Sequence, residues 1–222
     1  DRTTDFIVSN QHLQLVDELA TSKRFKNIKL LNYVDEYDPD VQKQFAAMTY
    51  RLSLDTYLVV FRGTDDTLIG WKEDFHMTYM DHVPAQKRAA SYLQHVMKEF
   101  PKGRFLVAGH SKGGNLATYA CSYLPDSLFE RIDAIYSYDA PGLNKAIIET
   151  KGYQRTSPYI RRFVPQGSIV GMMLEVPEPT TIVKSRAFGG FAQHDAFTWE
   201  IKDYSFVTVS ETSPDSQQTD LT

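Results

Sequence analysis

Residues 109–114 read Gly-His-Ser-Lys-Gly-Gly, and this Gly-x-Ser-x-Gly spacing can hold a serine hydroxyl in a sharp turn. A short apolar run at 105–108 precedes the turn, and a helical pattern at 115–124 follows it. Glycines on both sides remove side chains that would collide there, and the helix N-terminus directs N–H groups at the site. The pattern therefore predicts Ser111 as a nucleophile. The alternative is an ordinary glycine-rich turn between a strand and a helix.

A serine hydroxyl needs a general base to accept its proton. The chain has six histidines, and His194 is the one that follows Ser111, as the order serine, acid, histidine requires. His194 lies in a predicted loop after the last strands, so we predict it as the base. The alternative is a plain surface histidine. We expect His95 to be exposed on a helix, and His110 to pack or form hydrogen bonds locally.

Seven carboxylates lie between the serine and this histidine, and one of them follows a predicted strand directly. Asp139 ends the apolar run 132–138, at the carboxyl end, where sites lie in open parallel sheets. We therefore predict Asp139 as the acid that orients His194. The alternative is a turn-forming Asp before Ala-Pro-Gly. Glu175 is the second candidate acid. Asp195 is a weaker candidate, because it directly follows His194, and a loop residue rarely turns its side chain onto the ring of its neighbour.

Acyl transfer at a serine also needs two hydrogen-bond donors for the oxyanion of the tetrahedral intermediate. The backbone N–H of Lys112 is one predicted donor. Thr64 follows the predicted strand 57–61 and can offer both its N–H and its hydroxyl. Asp65 or Asp74 could orient that hydroxyl without contacting the substrate.

The elements that must position these residues alternate along the chain. Apolar periodicity predicts helices at 11–25, 84–100 and 115–124, and strands at 45–54, 57–61, 105–108, 132–138, 162–164 and 181–183. The first two strands are predicted to form a hairpin. Strands that alternate with helices predict an α/β fold with a mostly parallel sheet and helices on both faces. We expect one domain over 1–209 and a disordered polar tail over 210–222.

Composition limits the classes of function. The chain has 222 residues, 42% of them hydrophobic and 13% aromatic, which excludes wholesale disorder. A net charge of −4 gives no basic footprint for nucleic acid. A single cysteine, Cys121, excludes an intrachain disulfide and a Cys-based zinc cluster, and favours the cytoplasm. Secretion stays open because the chain starts at Asp1. We expect no transmembrane segment, no cofactor and no metal.

Several short motifs resemble those of the class 3 (fungal-type) lipases and occur in the same order along the chain. They resemble more closely those of a family of uncharacterised bacterial lipase-like α/β-hydrolases. The resemblance covers about residues 25–206. It is carried by Gln44-Phe45-Ala46-Ala47-Met48, Phe61-Arg62-Gly63-Thr64-Asp65-Asp66, Gly70-Trp71-Lys72-Glu73-Asp74-Phe75, Gly109-His110-Ser111-Lys112-Gly113-Gly114, Ser168-Ile169-Val170-Gly171-Met172-Met173 and Gln193-His194-Asp195. It implies an α/β-hydrolase fold, Ser111 as nucleophile, His194 as base, and an oxyanion hole from Thr64 and Lys112.

Two positions depart from the class 3 pattern. Those lipases place their acid in an Asp-Ile-Val-Pro segment, and the matching residue here is Ser168, which cannot be the acid. The acid would then move to Asp139, an arrangement that resembles pancreatic-type lipases. Lipases also usually carry an aliphatic residue at Lys112. We expect this lysine to be solvated, and the alternative is that it favours a negatively charged substrate. Residues 71–80 could form an apolar helix that covers the site, and the alternative is an ordinary core helix. Residues 145–158 are a second candidate cover.

Two functions from different classes follow. The first is a serine hydrolase that cleaves carboxylic esters of a small-molecule or lipid-like substrate. Esterase, lipase, phospholipase and thioesterase are not separable by sequence. The second is a non-catalytic protein of the same fold that binds an acyl ligand or a protein partner.

Overall fold

The structure, a computed structural model, describes residues 10–38, 40, 43–63, 82–174, 176–188 and 192–209. The predicted disordered tail at 210–222 and the predicted cover at 71–80 lie outside these residues.

A seven-stranded sheet, in which every strand lies next to its sequence neighbour, forms the centre of the molecule. The strands are β1 (Lys29–Asp38), β2 (Lys43–Arg51), β3 (Thr56–Phe61), β4 (Arg104–His110), β5 (Ile132–Tyr138), β6 (Ile160–Pro165) and β7 (Thr180–Val183). The pairs β1–β2 and β2–β3 are antiparallel, and β3 to β7 are parallel. A separate two-stranded hairpin follows, with β8 (Ile201–Lys202) and β9 (Ser205–Phe206).

Six α-helices lie in the described ranges. They are α1 (Asn10–Thr21), α2 (Pro84–Glu99), α3 (Lys112–Ser122), α4 (Asp126–Phe129), α5 (Lys145–Ile148) and α6 (Lys151–Thr156). Pro84 opens α2, where its missing N–H costs nothing, and the buried stripe of α2 includes Ala89, Leu93 and Val96. Among the helices of the described residues, none has both the length and the apolar character needed to cross a bilayer.

The predicted hairpin and parallel strands are confirmed, with shifts of a few residues at their ends. Strand β5 has the predicted bounds, and α3 begins three residues before the predicted helix because it starts directly after the serine turn. The sequence does not predict strand β1. This strand is the outermost of the sheet and has no fully buried residue. Its sequence therefore lacks the alternation of apolar and polar residues that marks a half-buried strand.

One hydrophobic core lies between the sheet and helices α2, α3 and α6. Alternate residues of β3 enter it, namely Tyr57, Val59 and Phe61, as a half-buried strand requires. On the other side of β5 and β6, the rings of Tyr138 and Phe163 contact Phe206. The C-terminal hairpin therefore covers that part of the sheet.

The register of the parallel strands places their carboxyl ends at one edge. Phe61 pairs with Gly109, and Tyr138 pairs with both His110 and Phe163. The residues that follow β3, β4 and β5 therefore meet at this edge, which is where the sequence places its candidate chemistry.

Candidate active site

Ser111 occupies a strained turn between β4 and α3. Its φ of 58° and ψ of −134° are unfavourable for a residue with a side chain, and such strain persists where the surroundings enforce it. A Cβ on Gly109 would lie 2.1 Å from the carbonyl carbon of Gly113, and a Cβ on Gly113 would lie 2.1 Å from Phe61 O. Both glycines are therefore required for the turn, as the sequence pattern predicts.

Asp139 follows β5 and is fully buried. Its φ of 42° is left-handed, a conformation that Asp tolerates better than most residues, and its N–H donates to Phe163 O at 2.7 Å. The backbone thus bends at Asp139, directly after β5. Its carboxylate also reaches the candidate base, since Asp139 Oδ2 lies 2.6 Å from His194 Nδ1.

His194 ends a short 3₁₀ turn, Ala192–His194, and its side chain is about one quarter exposed. Because a carboxylate accepts, His194 Nδ1 carries the hydrogen of this contact. The second ring nitrogen, Nε2, is then the one able to accept a proton from a hydroxyl, as in a serine–histidine–aspartate triad.

Two further contacts fix the loop that carries His194. His110 Nε2 lies 2.8 Å from His194 O, and the two imidazole rings are 4.4 Å apart. Trp199 Nε1 donates to Gln193 O at 2.8 Å. Burial, followed by the nearby charge of His194, lowers the pKa of His110. A neutral His110 donates from Nε2 to the carbonyl, so its hydrogen bond reaches the distant loop of His194 and is not the local one expected from the sequence.

The two rival acids have different outcomes. Asp195 Oδ1 accepts from the Phe197 N–H at 2.9 Å and caps the next 3₁₀ turn, so its carboxylate is engaged locally. Glu175 lies outside the described residues. Of the candidate acids that the structure describes, Asp139 is the one that contacts the imidazole of His194.

Lys112 differs from its expectation. The side chain is 2% exposed, and Nζ donates to Gln44 O in β2 at 3.1 Å. The prediction of a solvated lysine is wrong, because every residue of α3, including its first, packs into the interior. The ammonium group is directed at the backbone of β2.

The oxyanion side of the site is described in part. A Cβ on Gly63 would lie 3.2 Å from Ser111 Cβ, so the end of β3 packs directly against the serine turn. Lys112 is the first residue of α3 and places its N–H at the positive end of that helix. Thr64, Asp65 and Asp74 lie outside the described residues.

Two other predictions concern the surroundings of the site. The proposed cover at 145–158 forms α5 and α6, and a Cβ on Gly152 would lie 2.1 Å from Ser122 O. That carbonyl is at the end of α3 opposite Ser111, so this segment belongs to the helical layer. Within the described part of the chain, no three His, Cys, Asp or Glu side chains are grouped to bind a metal ion.

A contact that the sequence does not predict involves the other oxygen of the acid. Ser168 Oγ lies 2.5 Å from Asp139 Oδ1. The sequence excludes Ser168 as an acid, and no pattern in it indicates that its hydroxyl reaches one.

Parallel strands with a strained serine turn after β4 and a buried Asp after β5 that contacts a later histidine define an α/β-hydrolase fold. The chain belongs to the Mbeg1-like family, whose model matches residues 19–222. None of the curated proteins matches it in sequence.

Solved structures agree on the fold. A lipase from Rhizopus microsporus var. chinensis is 19% identical over 72% of this chain and 62% of its own, with a TM-score of 0.51. The M37 lipase is 17% identical over 76% of this chain and 64% of its own, with a TM-score of 0.56. A fungal lipase in an inhibitor complex is 17% identical, over 72% and 67%, with a TM-score of 0.50. The chain thus spans less than two thirds of the first two lipases. At these identities the likeness shows the fold.

Proposed function

We propose that this protein is a serine hydrolase that cleaves carboxylic esters, with Ser111, His194 and Asp139 as its triad. The observation that carries the proposal is the 2.6 Å contact between Asp139 Oδ2 and His194 Nδ1, at the same sheet edge as the strained turn of Ser111. An ordinary glycine-rich turn needs no buried carboxylate–imidazole pair beside it.

The chemistry follows from the atoms of this site. Ser111 Oγ attacks the ester carbonyl carbon while His194 Nε2 takes its proton, and the carbonyl oxygen becomes an oxyanion. Asp139 holds the imidazole in the tautomer with hydrogen on Nδ1 and stabilises the imidazolium. The backbone N–H of Lys112 and the Thr64 donors bind the oxyanion. His194 then protonates the leaving alcohol as its bond to the carbonyl carbon breaks, and the acyl group stays on Ser111. A water molecule activated by the same ring then hydrolyses this acyl group and releases the carboxylic acid product.

The substrate class is a small-molecule or lipid-like ester. The solved neighbours are lipases by name, which supports an acyl ester as the starting point for a panel of substrates. The buried Lys112 ammonium is directed at Gln44 O and supplies no reason to require an anionic substrate.

Labelling by a fluorophosphonate probe tests the proposal, because the probe reacts with an activated serine. We expect stoichiometric labelling of the wild-type protein, loss of labelling and of ester hydrolysis in Ser111→Ala, and unchanged labelling in Ser205→Ala. Ser205 is an exposed serine in β9 and serves as the matched control. Without Ser111, only substrate binding and the oxyanion donors remain to accelerate the reaction.

Near wild-type turnover in purified Ser111→Ala would remove this serine from the mechanism. Absence of labelling and of hydrolysis in the folded wild-type protein would favour the other function, a non-catalytic protein that binds an acyl ligand or a protein partner.

A further inference from the structure

We propose that Ser168 is a positioning residue that fixes the carboxylate of Asp139 for His194, an inference that rests on the proposed triad. The two oxygens of Asp139 have separate partners. Oδ2 lies 2.6 Å from His194 Nδ1, and Oδ1 lies 2.5 Å from Ser168 Oγ. A carboxylate held at both oxygens cannot rotate about its Cβ–Cγ bond without losing both contacts.

The direction of the Ser168 hydrogen bond follows from its surroundings. The Gly171 N–H donates to Ser168 Oγ at 2.9 Å, which occupies a lone pair of the hydroxyl. A carboxylate has only acceptors to offer, so the hydroxyl hydrogen is directed at Asp139 Oδ1. Such a charge-assisted hydrogen bond is shorter and stronger than one between neutral groups.

The short loop that carries Ser168 is fitted against the acid. A Cβ on Gly171 would lie 2.6 Å from Asp139 Oδ1 and 2.7 Å from Val164 Cγ1, so a glycine is required for this close approach. The carbonyl of the same glycine accepts from Arg162 Nη2 at 2.5 Å. Arg162 is buried on β6, and β6 pairs with β5, the strand that directly precedes Asp139. The loop that carries Ser168 is thus attached to the strand next to the one that leads into Asp139.

Burial makes this hydroxyl important for the geometry of the site. Asp139 is 0% exposed, so in the intact site Oδ1 depends on the Ser168 hydroxyl and not on bulk water for a donor. A buried carboxylate oxygen without a donor is costly, and the carboxylate is expected to turn toward other donors. Turning moves Oδ2 away from His194 Nδ1 and loosens the imidazole that must serve Ser111.

Four variants separate positioning from a structural role. Ser168→Ala removes the hydroxyl. Ser168→Thr and Ser168→Val form a matched pair of nearly equal volume that differs in the hydroxyl. We expect kcat for ester hydrolysis to fall roughly tenfold to a hundredfold in the Ala and Val variants, with KM nearly unchanged and Thr close to wild type. Adding Ser168→Ala to Asp139→Asn should cost less than about twofold more, because the hydroxyl acts through this carboxylate.

A second measurement does not depend on turnover. Proton NMR of the folded protein should show a low-field Nδ1–H signal for His194, which Asp139→Asn removes. The signal should shift or broaden in Ser168→Ala and Ser168→Val and persist in Ser168→Thr. Thermal unfolding of each variant shows whether the fold is retained.

An unchanged signal and an unchanged kcat in folded Ser168→Ala would overturn the proposal, as would equal losses in the Thr and Val variants. A wild-type protein that neither labels nor hydrolyses esters would refute the proposed function, and the NMR comparison would still decide whether Ser168 positions Asp139.

Discussion

At the scale of single residues, Asp139 joins the candidate base to the loop that carries Ser168. It is fully buried, and its carboxylate contacts His194 on one side and Ser168 on the other. Buried charges in proteins are paired and hydrogen-bonded, and this carboxylate meets that requirement. The proposed imidazolium would therefore form beside a group that is already organised to stabilise it.

The proposed oxyanion donors give a prediction at this scale. Thr64→Val should lower kcat by about 10²-fold or less, with a modest change in KM. Removal of one donor typically costs 10²–10³ in kcat, and the N–H of residue 64 remains in this variant. Steady-state kinetics on a soluble ester would decide it. A change in KM alone would make Thr64 a substrate-binding residue.

The candidate residues could be selected from the sequence because each has a strong local or positional signal. Ser111 lies in a glycine pattern, His194 is the last histidine, and Asp139 directly follows an apolar strand. The burial of Lys112 and the contact made by Ser168 could not be predicted. Both depend on which distant backbone comes close, Gln44 O in one case and the β5 turn in the other.

At the scale of elements, the loop after β7 is held against the end of β4. His110, the last residue of β4, contacts the carbonyl and the ring of His194. The position of the proposed base therefore depends on the strand that leads into the proposed nucleophile.

The burial of His110 predicts a pH dependence of stability. Burial, with the charge of His194 next, lowers the pKa of His110, although the hydrogen bond to the His194 carbonyl and the charges of Asp139 and Asp195 act in the opposite direction. The folded state then binds the His110 proton less tightly than the unfolded state. Its contribution to stability is complete above about pH 6.5, the ordinary histidine value, and decreases as the pH falls below it.

We expect His110→Gln to show a shallower fall in Tm between about pH 7 and pH 5 than the wild-type protein. His95→Gln, at an exposed position on α2, is the matched control and should leave the slope unchanged. Identical slopes in the wild-type protein and His110→Gln would contradict this account of the buried His110.

Elements with an apolar pattern were predictable, and elements without one were not. Strand β5 consists mostly of apolar and aromatic residues, and α2 presents an apolar stripe behind Pro84. Strand β1 gains its structure from pairing with β2 along nine residue pairs, while its own side chains remain half-exposed. Its strand state therefore depends on a partner more than on its own composition.

At the scale of the whole molecule, the parallel register of β3 to β6 brings chemistry from distant parts of the chain to one edge. The alternation of strands and helices predicted this arrangement, because parallel strands need crossovers. Of the two antiparallel pairs, the sequence predicts β2–β3, which is the hairpin. It does not predict β1–β2, because the residue pattern does not indicate strand β1.

The complete site predicts that activity does not depend on a metal ion. Full activity should persist with a chelator, since protein groups fill each role of the proposed mechanism. Complete loss of activity with a chelator would contradict the proposal.

The most direct test of the central claim is the kcat of Asp139→Asn in ester hydrolysis. An amide can present its NH₂ to the imidazole and favour the wrong tautomer, and the same change in serine proteases costs about 10⁴ in kcat. The account predicts a loss of several powers of ten in folded Asp139→Asn, with Glu175→Gln and Asp195→Asn near wild type. Near wild-type turnover in Asp139→Asn, with a large loss in either of the other two, would contradict it.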